Sequence, residues 1–379
     1  MDLIRLSQPQ ISDLERIYMD RALASAVWHG DGSFTARATQ WLLDRTGAPG
    51  ALLTPSCTHA LELAALLLEL GPGDEVICPS FTFPSTVTAV AHRGATPVLV
   101  DVDPATMNLD VDRVAEAITE RTRAVFAVHY GGVAIDLDRL LPLLDRAGIL
   151  LVEDNAHGIG GYWRGRHLGT FGVLATQSWH DTKNIACGEG GALLVNRPEL
   201  MDRAEIIREK GTDRRRFLRG EVDKYTWTDV GSSYLLSDIL SAVLLAQMER
   251  FEEIQEVRQR VWSTYDEQLA TWADKYGVVR MSAHPDGVHP AHLYWMTMPS
   301  DAHQAGLIAH LRERDIVAAF HYQALDESAA GQRLARTPRP CTVSRAASHR
   351  LVRLPLHAEL SESDVERVLE GVTSYQVDA

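Results

Sequence analysis

The clearest pattern in the chain is an alternation of short apolar runs and amphipathic segments between about residues 51 and 196. The amphipathic segments include Ala60–Leu70 and Leu137–Ala147, and their spacing is typical of helices. The apolar runs predict strands at Glu75–Pro79, Pro97–Asp101, Ala124–His129, Ile149–Glu153, Ala175–Trp179 and Gly191–Asn196. This alternation predicts an α/β fold with a large, mainly parallel sheet, whose ligands bind at the carboxyl ends of the strands.

The second half of the chain has a different pattern. Residues 199–230 are polar and predict a loop whose tip, Arg208–Lys224, is basic. A long helical pattern follows over Tyr234–Ala273, and the remainder mixes short strands with helices. The predicted strands there are Tyr294–Met298 and Ala318–Tyr322, and the predicted helices are Ala302–Arg314 and Glu362–Thr373. We therefore predict a large domain over residues 1–250 and a smaller α+β domain over residues 251–379.

Composition narrows the classes of partner. The chain has 379 residues, is 45% hydrophobic and carries a formal net charge of −14, which disfavours nucleic acid and anionic membranes as partners. Its first residues lack the basic start and apolar core of a signal peptide, and no apolar run reaches the roughly 20 residues of a membrane helix. The four cysteines, which form no CxxC pair, predict neither a metal site nor disulfides, so a reducing cytoplasm is expected.

Lysine is scarce, and one lysine has an informative position. The chain has four lysines, and Lys183 follows the predicted strand Ala175–Trp179 and precedes the glycine-rich Gly188–Gly191. Arginine cannot replace lysine where a neutral amine must attack a carbonyl, because the guanidinium stays protonated. Lys183 is therefore a candidate for covalent chemistry, and a solvated surface lysine is the alternative.

Three other segments place polar or aromatic residues at strand ends. In LLVEDNAHG an apolar run ends at Glu153 and Asp154, which suits a carboxylate that pairs with a protonated ring nitrogen; a helix cap is the alternative. In LLTPSCTHALEL a strand leads through Ser56–Thr58 into a helix, whose first N–H groups can bind an anion. In CPSFTFPST, Phe83 could stack on a planar ring or pack in the core.

The order of these elements, together with longer motifs, resembles the DegT/DnrJ/EryC1/StrS family of sugar-nucleotide aminotransferases. The resemblance extends from HGDGSFT to LVRLPLHAELS and includes PGDEVICPSFTF, DVDPATMNLD, AVHYGG, VEDNAHG, SWHDTKN, REKGTDR and FHY. It implies a fold-type I enzyme that uses pyridoxal 5′-phosphate (PLP), with pyridoxamine phosphate as the intermediate form. The segments DKYTW and GSSYLLSD resemble most the branch that aminates TDP-4-keto-6-deoxyglucose at C4.

The resemblance implies a role for each matching residue. Lys183 corresponds to the Schiff-base lysine, Asp154 to the partner of the pyridine nitrogen and Phe83 to the residue stacked on the ring. Cys57, Thr58 and Ser178 correspond to the donors to the cofactor phosphate. Substrate contacts are expected from Arg219, Lys224, Tyr225, His321 and Tyr322. The implied substrates are glutamate and a TDP-sugar, and the implied assembly is a homodimer with shared active sites.

The chain departs from the family pattern at three places. His157 stands where the family usually has glutamine, close to the ring hydroxyl. Ser233 replaces an asparagine that reaches the cofactor phosphate of the partner subunit, and it keeps a shorter hydrogen-bonding side chain. The segment Ala324–Asp326 replaces Pro-Leu-His at the substrate edge.

Four alternative functions are weighed against C4 amination of a TDP-sugar. Amination at C3 stays open. A related sugar dehydratase would have histidine at position 183, and a non-catalytic regulator would tolerate loss of Lys183 or Asp154, whereas the chain keeps both. A transferase acting on small amino acids is disfavoured by the His321–Tyr322 pair and the KYTW segment.

Overall fold

The apolar runs form strands and the amphipathic segments form helices in a computed structural model, which describes residues 2–377. The strands are β1 (Ala51–Thr54), β2 (Glu75–Pro79), β3 (Thr96–Val100), β4 (Thr122–Val128), β5 (Leu150–Asp154), β6 (Tyr162–Trp163), β7 (Arg166–His167), β8 (Leu174–Ser178), β9 (Gly191–Val195), β10 (Val279–Arg280), β11 (Gly287–Val288), β12 (Tyr294–Thr297) and β13 (Leu351–Leu354). The helices are α1 (Asp13–Ala24), α2 (Ser33–Thr46), α3 (Cys57–Leu67), α4 (Pro84–Ala91), α5 (Val111–Ala117), α6 (Leu137–Ala147), α7 (Met201–Arg208), α8 (Arg214–Leu218), α9 (Asp238–Glu249), α10 (Phe251–Tyr276), α11 (Asp301–Arg312), α12 (Ala329–Leu334), α13 (Thr342–Arg350) and α14 (Glu362–Thr373).

A seven-stranded sheet in the order β1-β9-β8-β5-β4-β2-β3 forms the centre of the larger part of the molecule. Neighbouring strands from β3 to β8 are parallel, whereas β9 runs antiparallel to both β8 and β1. Nearly every residue of these strands is buried, which is typical of a sheet covered by helices on both faces. The predicted α/β fold with a mainly parallel sheet is thereby confirmed.

A second sheet, β10-β12-β13, is antiparallel and lies in the C-terminal part of the chain. Its core combines side chains of these strands with those of α10, α11 and α14. Helix α10 joins the two regions: Phe251 and Ile254 pack with the helices of the large sheet, whereas Val261 and the residues after it pack into the C-terminal core. The division at residue 250 stays a proposal.

The structure differs from the sequence-based prediction in the helices between residues 199 and 276. The polar segment predicted as a loop contains α7 and α8, and the single long helix predicted over Tyr234–Ala273 is two helices. The break lies at Arg250, because α9 contacts α1 and α2 whereas α10 contacts α14, so the two helices follow different partners.

The predicted strand Ala318–Tyr322 is wrong. In this segment Ala319 forms one isolated bridge, to Arg353 of β13, and His321 and Tyr322 have no regular secondary structure. Their apolar and aromatic character reflects packing around a cavity rather than pairing in a sheet. Within residues 2–377, no helix combines the length and the apolar character that a bilayer crossing requires.

Candidate active site

A cavity of about 620 Å³ opens where β1, β5 and β8 end. These three strands run in the same direction, and β9 begins at the same edge because Gly191 pairs with both Thr54 and Ser178. The cavity brings together most of the sequence-predicted site residues. Those that line it are Cys57, Thr58, Phe83, Asp154, His157, Ser178, Lys183, His321 and Tyr322.

One end of the cavity is the first turn of α3. Ser56 caps this helix and accepts a hydrogen bond from the backbone N–H of His59 at 3.1 Å. The first intrahelical hydrogen bond of α3 runs from the Ala60 N–H to Ser56 O at 3.2 Å, so the N–H groups of Cys57 and Thr58 have no acceptor within the helix. Both residues line the cavity, as an anion site at a helix start requires. Gly191 approaches this turn so closely that a Cβ atom would lie 2.4 Å from the Cys57 nitrogen. The turn therefore suits a phosphate group.

Asp154 ends β5 and lies in the floor of the cavity, with 5% of its surface exposed. Its Oδ2 accepts a hydrogen bond from Thr86 Oγ1 at 2.7 Å, and its Oδ1 accepts one from the Ala156 N–H at 3.3 Å. Burial raises the pKa of Asp154, and the hydrogen bond from Thr86 opposes that rise. A buried carboxylate held in this way favours a cationic N–H donor beside it.

Lys183 lies in the loop that joins β8 to β9. Backbone hydrogen bonds close this loop, from Trp179 N–H to Gly190 O at 2.8 Å and from Cys187 N–H to Trp179 O at 2.9 Å. Burial lowers the pKa of Lys183 to about 8, while the negative charge of Asp154 acts in the opposite direction. A substantial fraction of this amine is therefore neutral near physiological pH and able to attack a carbonyl.

His157 is buried and lines the same cavity. Its Nδ1 accepts a hydrogen bond from the Gly131 N–H at 3.2 Å, and its ring stacks on His292 with centroids 4.2 Å apart. Burial lowers the pKa of His157 well below its usual value, so the ring is neutral. Because Nδ1 is the acceptor, Nε2 carries the proton, and it lies 3.4 Å from Tyr322 Oη. This histidine thus presents an N–H donor at the position where the family usually has a glutamine amide.

Aromatic side chains line the wall near the opening of the cavity. His321 stacks on Tyr322 with centroids 3.6 Å apart, and its Nδ1 lies 2.6 Å from Tyr130 Oη. Phe83 lies 6.2 Å from Tyr322 and is 58% exposed, so one face of its ring is open for stacking on a planar ligand.

Four predicted site residues do not line this cavity. They are Arg219, Lys224, Tyr225 and Ser233. Arg219 instead contacts Glu205 and Glu221, each at 2.6 Å, and Ser233 forms a backbone bridge with Glu209. Their roles in binding stay predictions. In the substrate-edge segment, Asp326 is buried and bonded to Arg345 at 2.7 Å and to Ser80 at 2.6 Å, so its carboxylate serves the fold.

The structure also adds residues that the sequence did not indicate. Thr86 orients Asp154, while His292 and Arg353 contribute to the cavity wall. Thr86 lies three residues after Phe83 in the segment CPSFTFPST, and this shared motif is a local signal for its place in the site. Arg353 lies between Val352 and Leu354, which pack in the C-terminal core, and no local signal marks it as a site residue.

The donors and acceptors of the cavity match one cofactor. PLP requires three contacts, and the cavity offers each of them: a helix start for its phosphate, a buried carboxylate for its ring nitrogen and a partly neutral lysine for its aldehyde. The fold and the cavity thus define a PLP-dependent enzyme of fold-type I.

Comparisons with known proteins define the family. The profile of the DegT/DnrJ/EryC1/StrS aminotransferase family matches residues 9–373, and the chain belongs to this family. It is 31% identical to the GDP-perosamine synthase of Caulobacter vibrioides over 98% of both chains. Among solved structures, it resembles the aminotransferase TlmJ from Streptoalloteichus hindustanus with a TM-score of 0.89 and 30% identity over 98% of both chains.

The cofactor follows from the same comparisons. The sugar aminotransferase Spr1654 from Streptococcus pneumoniae has been solved in forms with PLP and with pyridoxamine phosphate (PMP). Both structures resemble this chain with a TM-score of 0.90 at 26% identity. The match covers 98% of this chain, 98% of the PLP form and 97% of the PMP form. The chain is therefore a PLP-dependent sugar aminotransferase.

Proposed function

We propose that this enzyme transfers the amino group of glutamate to the C4 keto carbon of a TDP-4-keto-6-deoxyhexose, giving a TDP-4-amino-4,6-dideoxyhexose. The observation that carries the proposal is the single cavity in which Lys183, Asp154 and the α3 N-terminus converge. The cavity's volume of about 620 Å³ exceeds the lower limit for a cofactor site and leaves room for a substrate beside the cofactor.

In this proposal Lys183 both holds the cofactor and moves the proton. PLP, when bound, supplies the electron sink that takes up the electron pair released when the α C–H bond breaks. Once the amino donor has taken its place, the Lys183 amine would remove the proton from the donor's Cα and would pass that proton on within the cavity. In the second half of the cycle the same amine would return a proton to the sugar carbon. Its pKa of about 8 suits both tasks, because a catalyst that gives and takes a proton works best with a pKa near ambient pH.

The other residues hold the cofactor in the orientation that this proton transfer needs. Cys57 and Thr58 N–H groups and the Ser178 hydroxyl would bind its phosphate, and Asp154 would keep its ring nitrogen protonated. His157 would donate from Nε2 to the ring hydroxyl oxygen, and Phe83 would cover one face of the ring.

The choice of a TDP-4-keto sugar rests on the segments Asp223–Trp227 and Gly231–Asp238, which resemble the C4-aminating branch. His321 and Tyr322 line the cavity and would contact the sugar. We further propose a C2 homodimer in which Ser233 acts across the interface and Arg219, Lys224 and Tyr225 approach the substrate. A GDP-sugar is the main alternative, because GDP-perosamine synthase is a relative along the whole chain. Amination at C3 is the second.

A panel of reverse reactions tests the substrate. The PLP enzyme is incubated with 2-oxoglutarate and with TDP- or GDP-linked amino sugars of defined position and configuration, and glutamate formation is measured. Consumption of a TDP-4-amino-4,6-dideoxyhexose in preference to the others supports the proposal, and the isomer consumed gives the configuration of the amine. Preference for a GDP-linked or a 3-amino sugar would replace it.

Substitution of the lysine tests the assignment of the catalytic amine. Lys183→Ala should lose both turnover and the visible absorbance of the enzyme-bound cofactor. Lys275→Ala is the matched control, because Lys275 lies at the exposed end of α10, where it contacts Tyr276. Ordinary turnover in Lys183→Ala would exclude Lys183 as the catalytic amine.

A further inference from the structure

Arg353 carries its side chain from the small sheet into the cavity wall. It lies in β13 opposite Trp295 of β12, and its backbone also pairs with Ala319. Its guanidinium donates to the carbonyl oxygen of Phe320, from Nη2 at 2.9 Å and from Nε at 3.3 Å. One edge of the planar group is thereby anchored, and the remaining N–H donors are available to a ligand in the cavity.

The positive charge of Arg353 has no carboxylate partner within 4.0 Å in the described part of the chain, residues 2–377. Arg345, on the preceding helix, has one, because it pairs with Asp326 at 2.7 Å. The electrostatic neighbours of Arg353 include the hydroxyls of Tyr130 and Tyr322 and the amine of Lys183. Burial lowers the pKa of Arg353, but a guanidinium remains protonated at neutral pH. The cavity therefore contains a fixed cation that has no paired carboxylate among the described residues.

We propose that Arg353 binds the α-carboxylate of the amino donor, and the matching carboxylate of the 2-oxo acid formed from it. This inference rests on the proposed aminotransfer and assigns the amino-acid subsite within the same cavity. A planar guanidinium with a free edge is the group that best matches a carboxylate, through two parallel N–H to O bonds.

The position of Arg353 favours the amino acid over the sugar nucleotide as its ligand. Arg353 and Lys183 both line this cavity, and the charge of Arg353 contributes to lowering the pKa of Lys183. In an amino acid, the carboxylate and the reacting nitrogen are attached to the same carbon. In a nucleotide sugar aminated at C4, the pyranose ring separates the diphosphate from the reacting carbon. A cation in the same cavity as the reacting Lys183 therefore matches a carboxylate.

The test measures the two half-reactions separately on the PLP and PMP forms of Arg353→Gln. Conversion of the PLP form by glutamate should require about 100-fold more glutamate for half-saturation, since removing one partner of a buried charge pair typically costs this much or more. Half-saturation of the PMP form by the keto sugar nucleotide should change by less than about threefold, within the scatter of surface substitutions. Arg350→Gln is the matched control, because Arg350 is three residues away and pairs with Asp301 outside the cavity.

Amide analogues of the donor identify which carboxylate is recognised. Wild-type enzyme should discriminate strongly against isoglutamine, in which the α-carboxylate is an amide, and Arg353→Gln should lose that discrimination. The penalty of Arg353→Gln should persist with glutamine, which keeps the α-carboxylate. Arg353→Lys should fall between the wild type and Arg353→Gln, because it keeps the charge but loses the planar fork.

The outcomes separate this inference from the proposed function. An unchanged glutamate half-reaction in Arg353→Gln, or a loss confined to the sugar nucleotide, overturns the carboxylate assignment while aminotransfer stands. Wild-type enzyme whose PLP form does not react with any amino acid overturns the proposed function itself. If Arg353→Gln does not fold, Arg353→Lys is measured instead with glutamate, glutamine and isoglutamine as donors. Equal losses of activity with glutamate and with isoglutamine would refute the carboxylate assignment.

Discussion

The lowered pKa of Lys183 makes a quantitative prediction about capture of the cofactor. Only a neutral amine attacks the aldehyde of PLP, so the rate of attachment to the apoenzyme should follow the fraction of Lys183 that is deprotonated. Burial of the amine lowers its pKa from an ordinary 10.5 to about 8. At pH 7, about 9% of such an amine is neutral, compared with about 0.03% for an ordinary lysine, an increase of about 300-fold.

The assay mixes apoenzyme rapidly with PLP from about pH 6 to about pH 9.5 and follows the visible absorbance of the attached cofactor. The rate should rise tenfold per pH unit and level off near pH 8. N-acetyl-lysine, measured in the same buffers, corrects for ionisation of PLP itself. Asp154→Asn should move the midpoint lower, because the charge of Asp154 raises the pKa of Lys183. A rate that still rises tenfold per unit at the upper end of the range would refute a lowered pKa.

Three further substitutions test the packing around the site. Lys183→Met should stabilise the apoenzyme by about 3 kcal/mol at pH 7 in urea unfolding, because a lysine whose folded pKa is lowered opposes folding, most strongly below about pH 8. The gain in stability should fall as the pH rises and vanish above pH 10.5. A loss of stability at pH 7 would contradict the prediction. Glu153→Gln should cost about 3 kcal/mol near pH 7, because Glu153 is fully buried against His129. The pKa of Glu153 is lowered in the folded state, so the ionised carboxylate stabilises the fold above pH 4.5. The difference in unfolding free energy between wild type and Glu153→Gln should therefore shrink as the pH falls through the folded pKa. A difference that does not depend on pH would contradict this. Gly191→Ala should weaken PLP binding at least about tenfold in equilibrium dialysis, since its Cβ would lie 2.4 Å from a backbone nitrogen of the phosphate site. Gly71→Ala, with no atom within 4 Å of the added Cβ, should bind PLP normally.

Several of the predicted site residues that line the cavity lie at strand ends. Asp154 ends β5, Ser178 ends β8 and Lys183 follows in the next loop, so the topology of a parallel sheet brings them to one edge. Each position could be derived from the local pattern of apolar residues. The roles assigned to them came from the order of the motifs, because a single strand-end aspartate or lysine has several ordinary explanations.

Residues that depend on contacts between distant segments could not be predicted in this way. Arg353 and His292 reach the cavity only because the small sheet packs against the large one. The arginine-rich segment 208–224 illustrates the same limit. Arg208 is buried against Asp31, and Arg219 pairs with Glu205 and Glu221, so the segment is largely neutralised by carboxylates. A run of like charges in the sequence does not define a charged surface until its partners are known.

The loop that carries Lys183 is closed by the pair Ser178–Gly191 at its base. Every catalytic cycle must release the lysine from the cofactor and then bind the cofactor again through the same nitrogen atom. The Lys183 Cα atom therefore has to keep a constant position relative to the edge of the sheet. Both ends of the loop lie in paired strands, so we expect the four methylene groups of the side chain to provide most of this movement. Surface loops usually tolerate insertions, but an insertion between β8 and β9 would change the distance from the Lys183 backbone to the cofactor. We therefore expect members of this family to differ in loop length at other places in the chain.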